Sequence, residues 1–428
     1  MRLTCSFLVI LLAGNLSAQV SFNNYFTNKS LRIDYYLSGD ASQTVVSLAQ
    51  LKKEPYWAGN FENLIDPLNY GKYKILVYDK ESNKLIYTKG FCTLFQEWQT
   101  TAEAHDLKRS YYQVNTIPFP KMPVRFEIQM REKGNEFLKI FEYSVDPGNY
   151  FILNEKPVEC NVTKIHGDSK PDESVDVAFI AEGYTFDEMD KFRTDVKRMA
   201  KYLFSTPPFD KYKDKFNIWA VEAISEESGT DIPGEMIYKK TALNSSYYTF
   251  DVARYLTTTD IKSVYDYAAN VPYDQVYVLI NSERYGGGGI YNHYSASTSD
   301  HELTPKVLVH EFGHGFAGLA DEYYSSAVAY EDFYPTNIEP WEPNITTLVD
   351  FDSKWKDMIN KKTPVPTPPD VEYAKTVGVF EGGGYMAKGV YRPYIDCRMN
   401  TNEASGFCPV CQRAISRMIE YYTKKSKE

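Results

Sequence analysis

Histidine is scarce in this chain, with six residues in 428. Cysteine is no commoner, again six, too few to staple a chain of this length as small disulfide-rich domains are stapled. Positive charge is not in excess. Lys and Arg number 47 against 57 Asp and Glu, a formal net charge of −10. With no long basic run, nucleic acid is excluded as the partner, because phosphate binding relies on clustered Lys and Arg. Long hydrophobic runs are missing as well. The apolar stretch Phe7–Ala13 is far short of the roughly 20 residues that a membrane-spanning helix needs, so no transmembrane segment is expected. Aromatic residues are plentiful at 15%, including 36 tyrosines, within a hydrophobic share of 43%. That composition supports large cores and excludes disorder, and the length allows two domains.

The opening residues, MRLTCSFLVILLAGNLSAQ, have the pattern of a secretory signal. Arg2 supplies the positive region, Phe7–Ala13 the short apolar core and Leu16-Ser17-Ala18 the small-residue cleavage site. The expected signal peptide is 1–18, leaving an exported, secreted or periplasmic protein that begins near Gln19. Loss of Cys5 leaves Cys92, Cys160, Cys397, Cys408 and Cys411, an odd number, so at least one stays outside any disulfide framework. Cys397, Cys408 and Cys411 fall one short of a four-ligand zinc set and no histidine follows them. A disulfide from Cys397 to Cys408 or Cys411 is expected instead.

The rarity of histidine makes its spacing informative. Residues 307–323 read VLVHEFGHGFAGLADEY. His310 and His314 are four apart, hence on one face of a helix about one turn from each other, and both imidazoles can meet one metal ion. Glu311 is placed to contact a water on that ion as general base. Gly318 can end the helix in a left-handed residue and turn the chain back, which brings Asp321 within reach as third ligand. H-E-x-x-H with a third protein ligand and an open position is the pattern of a catalytic zinc site. His105, His166, His293 and His301 lack such spacing and are expected at surface, loop or core positions.

From about residue 20 to 158 the pattern is that of an all-β sandwich. Leu31–Leu37, Tyr73–Tyr78 and Val124–Ile128 are largely alternating or rich in β-branched and aromatic residues. Turn signals at 38–40, 69–71, 81–83 and 147–149 separate them. Residues 157–175 have the composition of a linker, and 159–428 form the second, α/β domain. Strands are predicted at Val175–Ala181, Phe216–Val221 and Gln275–Ile280. Thr185 and Glu188 form a capping box, and helices are predicted after it, over about Tyr248–Ala269, from Thr304-Pro305 with threonine as cap, and over Pro409–Lys424. Gly286–Gly289 suit either a flexible loop or an edge to which an extended peptide adds as a strand. Gly313 and Gly315 inside the active-site helix imply close packing on that face. Lys424, Lys425 and Lys427 complement the last helix's dipole.

The order strand, helix, strand, edge strand, active-site helix, methionine-bearing turn and last helix resembles the metzincin zinc peptidases. HEFGHGFAGLADEY (310–323), GVYRP (389–393), CRMN (397–400) and FCPVC (407–411) more closely resemble the bacterial IgA peptidase family, metallopeptidase family 64. The resemblance implies a metzincin-like zinc metallopeptidase domain behind a β-rich N-terminal domain. It makes His310 and His314 zinc ligands, Glu311 the base and Met399 the methionine beneath the metal. Gly318 and Asp321 each lie one position later than the metzincin pattern has its glycine and third histidine, leaving Asp321 or Glu322 as third ligand, with Asp321 favoured. The implied reaction is hydrolysis of peptide bonds in a protein or peptide substrate, with a host glycoprotein such as immunoglobulin A suggested by the family. Tyr391, Arg392 and Tyr394 are candidate second oxyanion donors by position. The alternative from another class is a secreted glycoprotein-binding module with a structural zinc site.

Overall fold

The computed structural model describes residues 19–324 and 334–424. The expected signal peptide, Cys5, Lys425 and Lys427 lie outside the described residues. The chain begins with seven strands: β1 (Phe26–Gly39), β2 (Thr44–Glu54), β3 (Tyr73–Asp79), β4 (Leu85–Phe91), β5 (Arg109–Pro120), β6 (Val124–Arg131) and β7 (Phe137–Val145). They form two antiparallel sheets, ordered β2-β1-β5 and β4-β3-β6-β7. Alternate residues Leu31, Ile33, Tyr35 and Leu37 of β1 are fully buried against Tyr73, Ile75, Val77, Phe126 and Ile128 in one core, as period-two side-chain direction requires. The expected β-sandwich is there. A five-residue helix, α1 (Leu94–Trp98), follows β4 and is capped by Thr93, whose hydroxyl accepts from the Gln96 amide.

The other face of β1 is buried as well. Arg32 and Asp34 are fully buried on it, and the Arg32 guanidinium donates to Asp34 at 2.6 Å and across to Asp266 of the following region at 2.7 Å. Glu54 of β2 accepts from the Tyr273 hydroxyl at 2.9 Å. The two regions are thus joined by buried ion pairs and hydrogen bonds, which require near-ideal geometry to offset desolvation.

The second region is built on a six-stranded mixed sheet ordered β12-β13-β11-β9-β10-β8. Its strands are β8 (Val162–His166), β9 (Val175–Glu182), β10 (Phe216–Val221), β11 (Gln275–Ile280), β12 (Gly287–Ile290) and β13 (Tyr294–Thr298). The inner strands are parallel, and β8 and β12 close the two edges antiparallel. Every residue of β9 and β11 is buried, which is why these segments are mostly apolar, with Asp176, Glu182 and Gln275 as the buried polar exceptions. The longer helices are α2 (Met189–Phe204), α3 (Ile261–Ala268), α4 (Thr304–Ala317) and α5 (Pro409–Thr423), with a late hairpin of β14 (Phe380–Gly383) and β15 (Met386–Arg392). Helices α2 and α5 pack against α4.

Several expectations need correction. The linker at 157–175 contains β8, whose residues pair with β10 and cover its edge. His166 lies in that strand, with Nε2 2.9 Å from the Lys213 carbonyl. The helix expected over Tyr248–Ala269 is confined to α3. Tyr248, Phe250 and Asp251 sit at positive φ, and Asp260 caps α3 by accepting from the Ser263 amide. Thr304 does not cap α4; its hydroxyl donates to the Thr298 carbonyl at 3.0 Å. The capping box of Thr185 and Glu188 is present. The disulfide from Cys397 is not formed, and all five described cysteines are free. Their environment explains this, because Cys397, Cys408 and Cys411 face Glu322 and the amides that open α5. Among the described residues no helix is long and apolar enough to cross a membrane.

Candidate active site

Helix α4 is held by its apolar side. Leu308, Val309, Phe312 and Phe316 are buried; Phe312 and Phe316 stack on each other, and Phe316 stacks on Tyr422 of α5. Gly313 lies over Met399, whose sulfur would be 3.2 Å from a Cβ placed there, and a Cβ on Gly315 would be 2.2 Å from Ser295 Oγ. Glycine is what lets the methionine turn and strand β13 come this close. The opposite side of α4 carries His310, Glu311 and His314 toward a cavity of about 540 Å³.

Gly318 ends the helix at φ 62°, its amide donating to the His314 carbonyl and the Leu319 amide to the Gly313 carbonyl. This left-handed cap reverses the chain. Asn344 then clamps Ala320 through both its amide and its carbonyl at 2.8 Å, and Asp321 arrives beside the histidines. His310 Nε2 and His314 Nε2 are 3.0 Å apart, and Asp321 Oδ1 is 3.2 and 3.3 Å from them. The Nδ1 atom of His310 faces the Arg398 carbonyl at 3.0 Å, and that of His314 faces the Leu319 carbonyl at 2.6 Å. With each Nδ1–H so engaged, both Nε2 lone pairs point inward. Asp321 Oδ1 is buried without a hydrogen-bond donor. Its Oδ2 accepts from the Tyr385 hydroxyl.

Three acceptor atoms therefore converge on one point, an arrangement that calls for a cation. Tetrahedral coordination at roughly 2.0–2.2 Å from nitrogen and oxygen spaces ligands by about 3.3–3.5 Å, close to the separations here. Burial lowers the His314 pKa, but Asp321 outweighs it and carries it up to about 9. Burial would raise the Asp321 carboxyl, but the two histidines hold it well below the usual range. Burial also pushes Glu311 upward, against the pull of His310 and His314.

Glu322 points away from this group, into the cluster of Cys397, Cys408 and Cys411. Its amide donates to the Met399 carbonyl at 2.7 Å. Gly287, Gly288 and Gly289 lie in edge strand β12. A Cβ on Gly287 would lie 2.9 Å from Glu311 Cγ and Oε1, and one on Gly289 would lie 2.2 Å from the Glu311 carbonyl. Tyr391, Arg392 and Tyr394 do not line the cavity; Arg392 donates instead to the carbonyls of Glu381 and Gly382. Arg254, Tyr323 and Tyr385 do line it. His293 is buried in the core, and His301 accepts from the Leu303 amide in a loop.

The N-terminal region contributes a wall through Cys92, Gln96, Glu97 and Thr100. Glu97 accepts from the Tyr255 hydroxyl, and burial pushes its carboxyl up to about 7. No sequence signal marks Glu97, Asn344 or Tyr385.

A mixed sheet with an antiparallel edge, packed on a helix that presents two histidines and a glutamate beside a returning aspartate, defines a peptidase of the metal-dependent kind. A family model described as IgA Peptidase M64 matches residues 164–373 and 369–419. One described as Peptidase M64 N-terminus matches residues 21–142. The chain belongs to the IgA peptidase M64 family and is a peptidase. No curated protein matches it.

Proposed function

We propose that this peptidase is an exported zinc endopeptidase in which His310, His314 and Asp321 hold the ion and Glu311 is the general base. The observation that carries the reading is the convergence of both Nε2 atoms and the donorless Asp321 Oδ1 within 3.3 Å. Two imidazoles and a carboxylate are a donor set suited to zinc. Zinc bound there supplies Lewis-acid polarisation of the scissile carbonyl and acidifies a water towards neutral pH. Glu311 takes the proton from the attacking water and hands it to the leaving amine. A carboxyl pushed upward by burial is suited to both transfers near neutral pH.

Substrate is positioned by strand β12. The amide and carbonyl of Gly287 already pair with Arg254 and Leu256, so Gly289 is the next position whose main chain points outward. An extended peptide pairs there, with its scissile bond over Glu311. Arg254, on the cavity wall, is placed to serve as second oxyanion donor. Arg398 is committed to the carbonyls of Thr401, Asn402 and Ala404. The substrate is a protein, with immunoglobulin A the candidate that the family description suggests. Secretion rests on the signal-like opening residues. The base and the open cavity favour an enzyme over a glycoprotein-binding module with a structural ion.

Incubation of the purified chain with immunoglobulin A and with a mixed protein pool tests this, with and without a zinc chelator. Cleavage should stop with chelator and return with zinc, and Glu311→Ala should keep the ion while losing cleavage. Chelator-insensitive cleavage, or full activity in Glu311→Ala, overturns the mechanism. Cleavage of the pool but not of immunoglobulin A overturns the substrate alone.

A further inference from the structure

Behind the candidate active site lies a second convergence of ligand atoms. Glu322, Cys397, Cys408 and Cys411 are all buried, and each offers one atom within 4.8 Å of the others. The Sγ atoms of Cys397 and Cys411 are 3.8 Å apart. A disulfide would bring them to about 2.05 Å, whereas two thiolates at roughly 2.3 Å from a tetrahedral ion stand about 3.8 Å apart. Glu322 Oε1 is 3.1 Å from Cys411 Sγ and accepts from Asn344 at 3.0 Å. Its Oε2 is buried with no hydrogen-bond partner.

Two main-chain amides are turned toward the sulfur atoms. The Cys408 amide approaches Cys397 Sγ at 3.2 Å, and the Cys411 amide approaches Cys408 Sγ at 3.5 Å. These amides open the 15-residue helix α5, where the helix dipole and free N–H groups stabilise negative charge. No described ion pair joins a lysine or arginine to Glu322; Arg392 is held by main-chain carbonyls. A divalent ion accounts for the unpaired oxygen and the sulfur spacing together.

We propose that Cys397, Cys408, Cys411 and Glu322 form a second metal site that takes a structural zinc-class ion as three thiolates and one carboxylate. All four positions are protein ligands, so the site is closed and has no room for a reacting water. Its place in the fold gives its role. Glu322 follows Asp321 directly, and Cys397 precedes Met399 by two residues, so the ion ties the aspartate loop, the methionine turn and the start of α5 to one point. The sulfur and carboxylate atoms carry this inference whether or not His310, His314 and Asp321 bind zinc.

Metal analysis of the full chain, purified without chelator or reductant, tests the site. Two zinc equivalents are expected in the unaltered protein, and the His310→Ala/His314→Ala variant should keep one. In that variant cobalt(II) should give a near-ultraviolet thiolate charge-transfer band, a signature that imidazole and carboxylate alone do not produce. Cys411→Ser and Glu322→Gln should each lower the second equivalent. Should Cys411→Ser fail to fold, non-reduced peptide mapping of the unaltered protein decides. A covalent disulfide among the three cysteines overturns the proposal, as does complete loss of zinc and of the cobalt band in the histidine variant.

Discussion

The main-chain amide of Glu322 donates to the carbonyl of Met399 across 2.7 Å. This bond ties the loop that carries Asp321 to the turn lying under Gly313 of α4, so the position of the aspartate depends on a segment nearly eighty residues downstream. The hairpin β14–β15 adds a second tie, since the Gly384 amide donates to the Asp321 carbonyl at 2.9 Å. Asp321 is fixed from both sides by main-chain hydrogen bonds.

Tyr385→Phe removes the hydroxyl that donates to Asp321 Oδ2. Loss of such a supporting bond weakens metal affinity or activity by about 10–100-fold. Zinc competition against a graded chelator should show the weaker affinity. Unchanged affinity together with unchanged cleavage would show that the hydroxyl does not orient the carboxylate.

Gly287→Ala and Gly289→Ala should part company. At Gly287 the new Cβ meets the Glu311 side chain and Val307 Cγ1, all at 2.9 Å, and flexible side chains can give way. The protein should fold with kcat lowered by roughly 100-fold, the scale expected when a catalytic group is misplaced by about 1 Å. At Gly289 the Cβ meets the Glu311 carbonyl at 2.2 Å, where only helix displacement relieves the clash. Soluble yield and Tm should fall sharply. Equal behaviour of the two variants in thermal melts and turnover would refute the distinction.

Arg32→Met leaves Asp34, Glu54 and Asp266 buried without their shared guanidinium. Breaking a buried ion pair by removing one partner costs about 3–5 kcal/mol. Urea unfolding should show that loss, and replacing Asp266 by Asn in the same background should recover part of it. A loss below about 1 kcal/mol would mean that these charges reach water.

His293 makes acid stability measurable. Burial, reinforced by Lys89, lowers its pKa from 6.5 to about 3, so the native ring stays neutral while the unfolded chain protonates below pH 6.5. Its contribution is fully present above that pH and is lost as pH falls towards 3, by at most about 1.4 kcal/mol per unit. Between pH 6.5 and 5 the unaltered protein should lose about 1.6 kcal/mol more than His293→Phe in urea melts. Parallel pH profiles would show that the native ring takes up the proton.

What could be read in advance follows the range of the interaction. The strands β10 and β11 were legible to the residue because nearly continuous burial leaves a largely apolar run. His310, Glu311 and His314 were legible because one helical turn sets their spacing, and Gly318 because few other residues reverse a helix. The choice between Asp321 and Glu322 was not, since adjacent carboxylates separate only when the loop has partners. Asn344, Tyr385 and Met399 supply those partners from far along the chain. The short strand β8 was concealed by the Pro- and Gly-containing segment around it. The thiol cluster looked one ligand short because its fourth member, Glu322, lies far from the cysteines in sequence.

Glu97 and Cys92 belong to the sandwich region, yet they form part of the cavity wall, and the Cys92 amide donates to the Tyr291 carbonyl at 2.9 Å. The sandwich region therefore supplies part of the cavity wall and is more than a spacer beside it. A fragment trimmed to residues 159–428 would lose that part of the wall and separate Asp266 from Arg32. Changes of preference between substrates can then arise in a segment that carries none of the reacting groups.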